Sequence, residues 1–464
     1  IRANAQRPCQ SMCPKVLGVI ASSAAHPVHD FWVWSGFGVG SFWVLCGFGL
    51  GWFCELCGLA LEKIIDGSRV FIAAGCGAPL GLTAEFDRIR SRWKNIEIVS
   101  AYHLSSLPVF DHPGDPFKYT TLQAQPFVRD LIEAGHCSVL PCKFSDFGHL
   151  FSPEGPYPVD VALVQVSAPG PSGKYSLGTN VGSTVDLVSS TPLVIAQVNP
   201  QMPYTFGAGE LSVDAFDFLV DIEENIVESH SPVADEITQK IANNAIAEIP
   251  DEATLQFGIG ALPDSIMKGL DNHRDLGIHG GMISNSMAWL LETGALTNKK
   301  KSMDRGLLVA AEVIGNRELF DWIHLNPAIR LVPARYSHGA AVLSQAHRFV
   351  AINSAVEISL DGTINAESAG SRVISGPGGQ PDFAIAASIG ENSRSILALP
   401  STATKGKRSR IVKTISSEAT VTVPRYLADR VITEYGVARL RGLTLEQRAN
   451  ALRSISHPDF RNQF

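Results

Sequence analysis

Charge of either sign is scarce in this chain. Asp, Glu, Lys and Arg make up 18% of its 464 residues, and 38 basic against 45 acidic side chains leave a formal charge of -7. With 45% apolar residues this is not the composition of a disordered chain. The mildly acidic balance also excludes a strongly basic nucleic-acid binder, so no nucleic-acid partner is expected. Cysteine is absent after Cys142, and five of the eight, Cys9, Cys13, Cys46, Cys54 and Cys57, crowd the first 57 residues. A disulfide framework would not leave residues 143–464 uncovered. A reducing compartment follows, the cytoplasm or, in a eukaryote, the mitochondrial matrix. Cys54-Glu-Leu-Cys57 is a lone CxxC without the second pair of ligands that a closed zinc site needs, so no metal is expected. Also missing are the GxSxG elbow, the P-loop and HExxH. Gly258-Ile259-Gly260 runs on into Ala261-Leu262-Pro263, which is not the dinucleotide fingerprint.

What is present begins with an unusual stretch. Phe31 to Cys54 carries no charge in 24 residues, with nine aromatics and six glycines. Its length suits a bilayer span, and glycine is no obstacle to one. No cleavage site accompanies it, and Arg2, Arg7 and Lys15 form a thin positive region. Residues 1–57 are read as an extension of undecided status: an anchor through 31–54, a poorly packed segment, or a stretch foreign to the gene product. A membrane contact is expected through 31–54 alone, because everything downstream reads as a soluble enzyme.

Length suits two large domains or about three average ones. From Leu59 the pattern is one of repeated strand, glycine loop and helix. Leu59 to Ile65 reads as helix and Val70 to Ala74 as a strand, followed by Gly75-Cys76-Gly77 and a helix opened by Pro79. Val159 to Val166 and Leu193 to Val198 are predominantly apolar runs, as buried parallel strands require. Ser231-Pro232 reads as the start of a helix carrying Val233, Ile237, Ile241 and Ala245 on one face and ended by Pro250. A second series then begins: strand Thr254 to Phe257, loop 258–260, helix Pro263 to Leu270; strand Leu276 to His279, loop Gly280-Gly281, helix Ile283 to Glu292; strand Leu307 to Val313, Gly315, helix Arg317 to Ile323. Asp361-Gly362 predicts a hairpin, and Ile396 to Leu399 a last buried strand. The expectation is an α/β protein with ligands at the carboxyl ends of its strands, divided into 1–57, 58–231 and 232–464.

Glycine loops at strand tips present backbone N–H groups to phosphates or oxyanions. Three qualify: Gly75 to Gly77, Gly258 to Gly260, and Gly376-Pro377-Gly378-Gly379-Gln380. Tight turns needed only for packing explain any one of them as well; the last is hardest to explain that way. Near it lie Lys405, Lys407, Arg408, Arg410 and Lys413, either a solvated face or an anchor for anionic groups. Lys299, Lys300 and Lys301 read as a surface loop.

Ordered segments along the chain carry a specific resemblance. They include Asp160 to Ser167, Tyr175 to Gly178, Val198 to Pro203, Leu255 to Pro263, Asp275 to His279, Thr297 to Lys301, Ile352 to Ala355, Gly378 to Gln380, Ala398 to Ala403, Ser409 to Val412, Thr433 to Gly436 and His457 to Phe460. From about residue 60 onward the chain resembles the acetyl-CoA hydrolase/transferase family, which includes 4-hydroxybutyrate and succinate:acetate CoA-transferases. The resemblance implies two related CoA-transferase-type (NagB-like) α/β domains with mostly parallel sheets and the active site between them. It implies transfer of CoA from a short-chain acyl-CoA to a carboxylate such as acetate, with no permanently bound cofactor. Coenzyme A and acyl-CoA enter as substrates, and a homo-oligomer, first of all a dimer, is the assembly expected. CoA-binding positions map onto Gly258, Ile259, Gly260, Ala261, Leu262, Gly378, Gly379, Gln380 and Lys405.

One departure matters. The family's nucleophilic glutamate lies two residues past the Gly-Ile-His of the second series, where this chain has His279-Gly280-Gly281-Met282. Glycine at 281 forms no anhydride. Either another carboxylate substitutes, with Glu312 first and Glu292 and Asp382 behind it, or water is directed onto the thioester with Glu312 or His279 as general base and Gly281 opening the space, which makes an acyl-CoA hydrolase. A CoA-binding protein without turnover is the third reading.

Overall fold

A computed structural model of the chain describes residues 57–463. The expectations for residues 1–56, including the span at 31–54, lie outside the described residues. Among those described, no helix is long and apolar enough to cross a membrane.

Two sheets organise the molecule. The first has seven strands: β1 (Arg69–Ile72), β2 (Ile96–Ser100), β3 (Phe117–Thr121), β4 (Cys137–Val139), β5 (Val161–Val166), β6 (Leu193–Val198) and β7 (Phe218–Asp221). They lie in the order β4-β3-β2-β1-β5-β6-β7, and every pairing is parallel. The second has eight: β8 (Thr254–Phe257), β9 (Gly277–Ile283), β10 (Leu308–Val313), β11 (Ile329–Leu331), β12 (Phe349–Asn353), β13 (Arg394–Ala398), β14 (Arg430–Thr433) and β15 (Gly436–Arg439). Their order is β11-β10-β9-β8-β12-β13-β14-β15, parallel except for the closing β14–β15 hairpin. Each sheet reverses its strand order once, beside β1 and beside β8. Such a reversal opens a crevice at the carboxyl ends, so the loops at Gly75 and Gly258 stand at the two natural ligand positions.

The strands form where the sequence is largely apolar, with single polar residues such as Gln165 in β5 and Glu312 in β10. All six residues of β5 and all six of β10 are buried, as parallel strands covered on both faces demand. One hydrophobic core runs through both halves, from Phe71, Val164 and Ala196 to Leu255, Ile278 and Ala310.

Several expectations are corrected. The helix read from Ser231-Pro232 starts at Glu236 and ends at Ile246, before Pro250, with Asp235 as its cap accepting from Thr238 N at 2.8 Å. Val233 is 96% exposed; with no apolar surface to cover residues 231–234, the charged cap wins. The opening helix stops at residue 61, short of Ile65. Gly280-Gly281 is not a loop but lies inside β9, because neighbouring side chains press on both faces there. The strand at 394–398 is followed in its own sheet by two more, β14 and β15. Lys301 is buried and donates to Ile278 O and Leu307 O, both at 2.8 Å, so it ties strand ends together instead of lying on the surface. The hairpin at Asp361-Gly362 forms as read, between Glu357–Ser359 and Ile364–Asn365.

Candidate active site at the joint of the two halves

The halves are joined by backbone. β11 ends at Leu331, and beyond it the edge of β10 is taken over by a first-half segment: Val181 N and Gly182 N donate to Ala311 O, and Val313 N donates to Thr179 O. A side-chain carbon on Gly182 would overlap Ala311, so only glycine permits this approach. On the far edge of β11, Leu331 N donates to Phe206 O and Ala208 N to Leu331 O.

Strand alternation sorts the candidate residues onto two faces. His279 and Gly281 share one face of β9; Met282, in register with Glu312 of β10, belongs to the other. On the Gly281 face stand helix α1 (Ala334–Ser337), helix α2 (Gln380–Ile389) and His338. A side-chain carbon on Gly281 would lie 3.0 Å from His338 Nε2, and one on Gly379 would lie 2.8 Å from the same atom. The glycine of the strand and the glycine of the 376–379 loop therefore converge on one imidazole nitrogen. That ring is 4% exposed, sits between Phe144 and Phe383 with centroids 4.6 and 4.7 Å away, and has its Nδ1 2.8 Å from Ser337 Oγ. Burial, with His279 nearby, pulls it down to about 3, so it is neutral at ordinary pH. His279 is fully buried, its Nε2 3.4 Å from Tyr336 O, and its Nδ1 has no partner. Burial, reinforced by the Lys301 ammonium, lowers it to about 4.

The first half holds the glycine loop in place. Phe144 N donates to Gly378 O at 3.0 Å, and Asp382, in the first turn of α2, accepts from Ser145 N at 3.1 Å and Ser145 Oγ at 2.7 Å. Burial raises that carboxyl. Asp382 thus orients the loop. Gln380 is the first residue of α2.

Glu312 faces the other way. Its carboxyl is 3% exposed and receives Tyr102 Oη at 3.1 Å and Ser183 Oγ at 3.1 Å, both from the first half. Burial pushes it up to about 7 against the pull of those two hydroxyls. Cys76 of the Gly75–Gly77 turn lies near it, its thiol driven up to about 12 by burial. Glu292 is the exposed last residue of its helix.

The remaining candidates cluster at the strand tips. Gly258 and Gly260 have open space where a side chain would stand, and Gly260 begins the helix of Ala261 and Leu262 at φ 119°. Ile259 is 45% exposed. Asn353, at the end of β12 beside them, donates to Gln256 Oε1 at 3.1 Å. Lys405 is exposed, at φ 55°, on the turn between Thr402–Ala403 and Arg408–Ser409 that follows β13. Arg410 is used structurally, donating to Ala355 O and Val356 O. Among the described residues no group of three or more His, Cys, Asp or Glu is placed to hold a metal. Sequence reasoning missed His338, Tyr102 and Ser183; the adjacent Ser337-His338 pair was the one local signal available.

Comparison with known proteins completes the description. Residues 59–229 match the acetyl-CoA hydrolase/transferase N-terminal domain and residues 315–464 the C-terminal domain. The 4-hydroxybutyrate coenzyme A transferase of Clostridium kluyveri is 37% identical over 406 residues, covering 87% of this chain and 94% of that protein. RipA from Yersinia pestis superposes with a TM-score of 0.83 at 27% identity, covering 90% of this chain and 98% of RipA. The 4-hydroxybutyrate CoA-transferase of Porphyromonas gingivalis does so with a TM-score of 0.75 at 31% identity, covering 88% and 95%. The chain belongs to the acetyl-CoA hydrolase/transferase family.

Proposed function

We propose that this protein is a CoA-transferase that moves CoA between a short-chain acyl-CoA, such as acetyl-CoA or 4-hydroxybutyryl-CoA, and a carboxylate such as acetate. The observation that carries the reading is the meeting of Gly281 and Gly379 at one buried point on the joint. There the strand position that holds the nucleophile in the family faces the loop whose amides suit a thioester oxyanion. The full-length similarity to a 4-hydroxybutyrate coenzyme A transferase supports the same activity. In this reading Gly258 to Leu262 and Gly378 to Gln380 hold CoA at the crevice beside β8, and exposed Lys405 meets its anionic end.

For the covalent step Glu312 is the proposed carboxylate. A carboxylate oxygen attacks the thioester carbon, the C–S bond breaks, CoA thiolate leaves, and an acyl-glutamyl anhydride remains. The thiolate then attacks the glutamyl carbonyl, which releases the donor as its carboxylate and leaves a glutamyl-CoA thioester. The acceptor carboxylate runs the same two steps in reverse, takes the CoA and frees Glu312. Glu312 is the strand neighbour of Met282, one residue beyond Gly281. Its contacts with Tyr102 and Ser183 lie on the face opposite Gly281, so nucleophilic use requires the side chain to leave those hydroxyls and the thioester carbonyl to reach the Tyr102 side of the sheet, away from Gly379. In the hydrolytic alternative Glu312 or the neutral His279 is the general base, and Gly281 opens the space for the water.

Incubation of acetyl-CoA with and without butyrate tests the activity, with free thiol and butyryl-CoA as readouts. Butyryl-CoA formed only with acceptor is the expected result. Thiol release without acceptor makes the protein a hydrolase, and neither product makes it a binding protein. Glu312→Gln is expected to abolish exchange; unchanged turnover removes Glu312 from the mechanism.

A further inference from the structure

The glycine loop of the second half has little in its own half to hold it. Ile374 N and Ser375 N both donate to Glu367 O, and regular structure resumes only at Gln380, the start of α2. Among the described residues, the one backbone hydrogen bond from residues 376–379 to another segment is Phe144 N to Gly378 O, and Phe144 belongs to the first half. Further fastenings come from the same side. Arg129, on the helix Pro126–Glu133, donates to Ile374 O at 2.6 Å, and the Gln123 side chain accepts from Ser375 Oγ at 3.3 Å. A side-chain carbon on Gly376 would overlap Leu122 O.

Asp382 closes the other end of the loop, and every hydrogen bond its carboxylate accepts among the described residues crosses the joint. Ser145 takes both oxygens, Oδ2 through its N–H at 3.1 Å and Oδ1 through its hydroxyl at 2.7 Å. Lys143 Nζ is 3.4 Å from Oδ1 and is drawn closer to Asp146, at 3.0 Å. Asp382 is 2% exposed, so water is a poor substitute for a lost donor. Without the Ser145 hydroxyl, Oδ1 keeps only the distant ammonium. The first turn of α2, and the glycines that lead into it, would then lose the contact that fixes them against the first half.

We propose that Ser145 is a positioning residue for CoA: acting through Asp382, it sets the place of the Gly378–Gln380 loop, so a hydroxyl of the first half governs how tightly the second half holds its thioester substrate. The proposal rests on the reading of that loop as a CoA-binding segment, and its test separates the two.

Hydrogen exchange on the full chain, read at the amides of Gly376, Gly378, Gly379 and Gln380, reports the loop without any ligand. Calorimetry with CoA and steady-state kinetics with acetyl-CoA report the site. In Ser145→Ala the loop amides are expected to exchange about tenfold faster, the scale of one hydrogen bond to a charged group. The Kd for CoA and the KM for acetyl-CoA are expected to rise by about the same factor, with kcat little changed, the pattern of lost uniform binding. Ser145→Thr keeps the hydroxyl and is expected to return all three to parental values. Ser145→Ala should add little to Asp382→Asn in the double variant, because the hydroxyl acts through that carboxylate. Unchanged exchange of the loop amides overturns the proposal, since Ser145 then does not hold the loop. Faster exchange with an unchanged Kd for CoA overturns it as well, since the loop then loosens without consequence for the ligand. A parent chain that binds no CoA removes the CoA reading of the loop and the proposal with it, while the exchange rates still show whether Ser145 holds the segment.

Discussion

At the scale of single residues, Glu312 and the imidazoles make opposite demands on pH. Glu312 titrates at about 7 when folded against 4.5 as an ordinary glutamate, so the folded state holds the proton more tightly. Its contribution to stability is therefore full below pH 4.5 and is lost as pH rises through 7. His279 and His338 are lowered to about 4 and about 3, so theirs is present above 6.5 and is lost on acidification. The windows overlap, and the whole-protein curve mixes them. The Glu312→Gln difference isolates one. Relative to the parent, the variant is expected to gain stability between pH 5 and pH 8, on the order of 3 kcal/mol if the whole shift is expressed. Urea denaturation at the two pH values measures it, and a constant difference would mean that Glu312 is ionised throughout. Gly281 supports a second prediction. Gly281→Glu drives a side chain into His338 Nε2 and is expected to cost about 1–3 kcal/mol, as overpacking does. Adding His338→Ala should return part of that loss, read as a non-additive double-mutant cycle.

At the scale of elements, the helix Glu236–Ile246 separates two readings of its start. Asp235→Ala is expected to destabilise by about 1 kcal/mol, and Ser231→Ala to have no measurable effect, in thermal melts of the two variants. Ser-Pro followed by an apolar residue is a fair start signal, but a start needs surface to bury, and Val233 has none. The same limit explains the other discrepancies. Strands such as Leu193–Val198 and Thr254–Phe257 were legible residue for residue, because short, largely apolar segments between turns admit little else. Gly280-Gly281 was not, because a glycine pair ordinarily breaks a strand. Here the lack of side chains serves packing: carbons added at 280 and 281 would lie 2.9 Å from Gln256 and 3.0 Å from His338. Of the candidate site, the glycine loops were readable from composition. The burial of Lys301 and the direction of Glu312 were not, since both follow from which strand lies alongside and not from neighbours in sequence.

At the scale of the molecule, the joint decides how the halves respond together. The shared core and the bonds from Thr179, Val181 and Gly182 to β10 predict one cooperative unfolding transition. Gly182→Val is expected to lower the transition temperature and to broaden or split the transition, because it forces the segment off Ala311; calorimetry tests it, and an unchanged single peak would show the joint to be dispensable. No periodicity in the sequence marks residues 179–182 as part of the second sheet, because a hydrogen-bonded partner supplied from more than a hundred residues away leaves no local pattern. The arrangement bears on how the protein is made. The tip of β10 is an edge whose N–H and C=O groups are answered by chain synthesised earlier, so the ribosome delivers the cover before the strand that needs it. A circular permutant beginning near residue 232 would reverse that order and leave the edge bare during translation, a template for aggregation that the native order avoids.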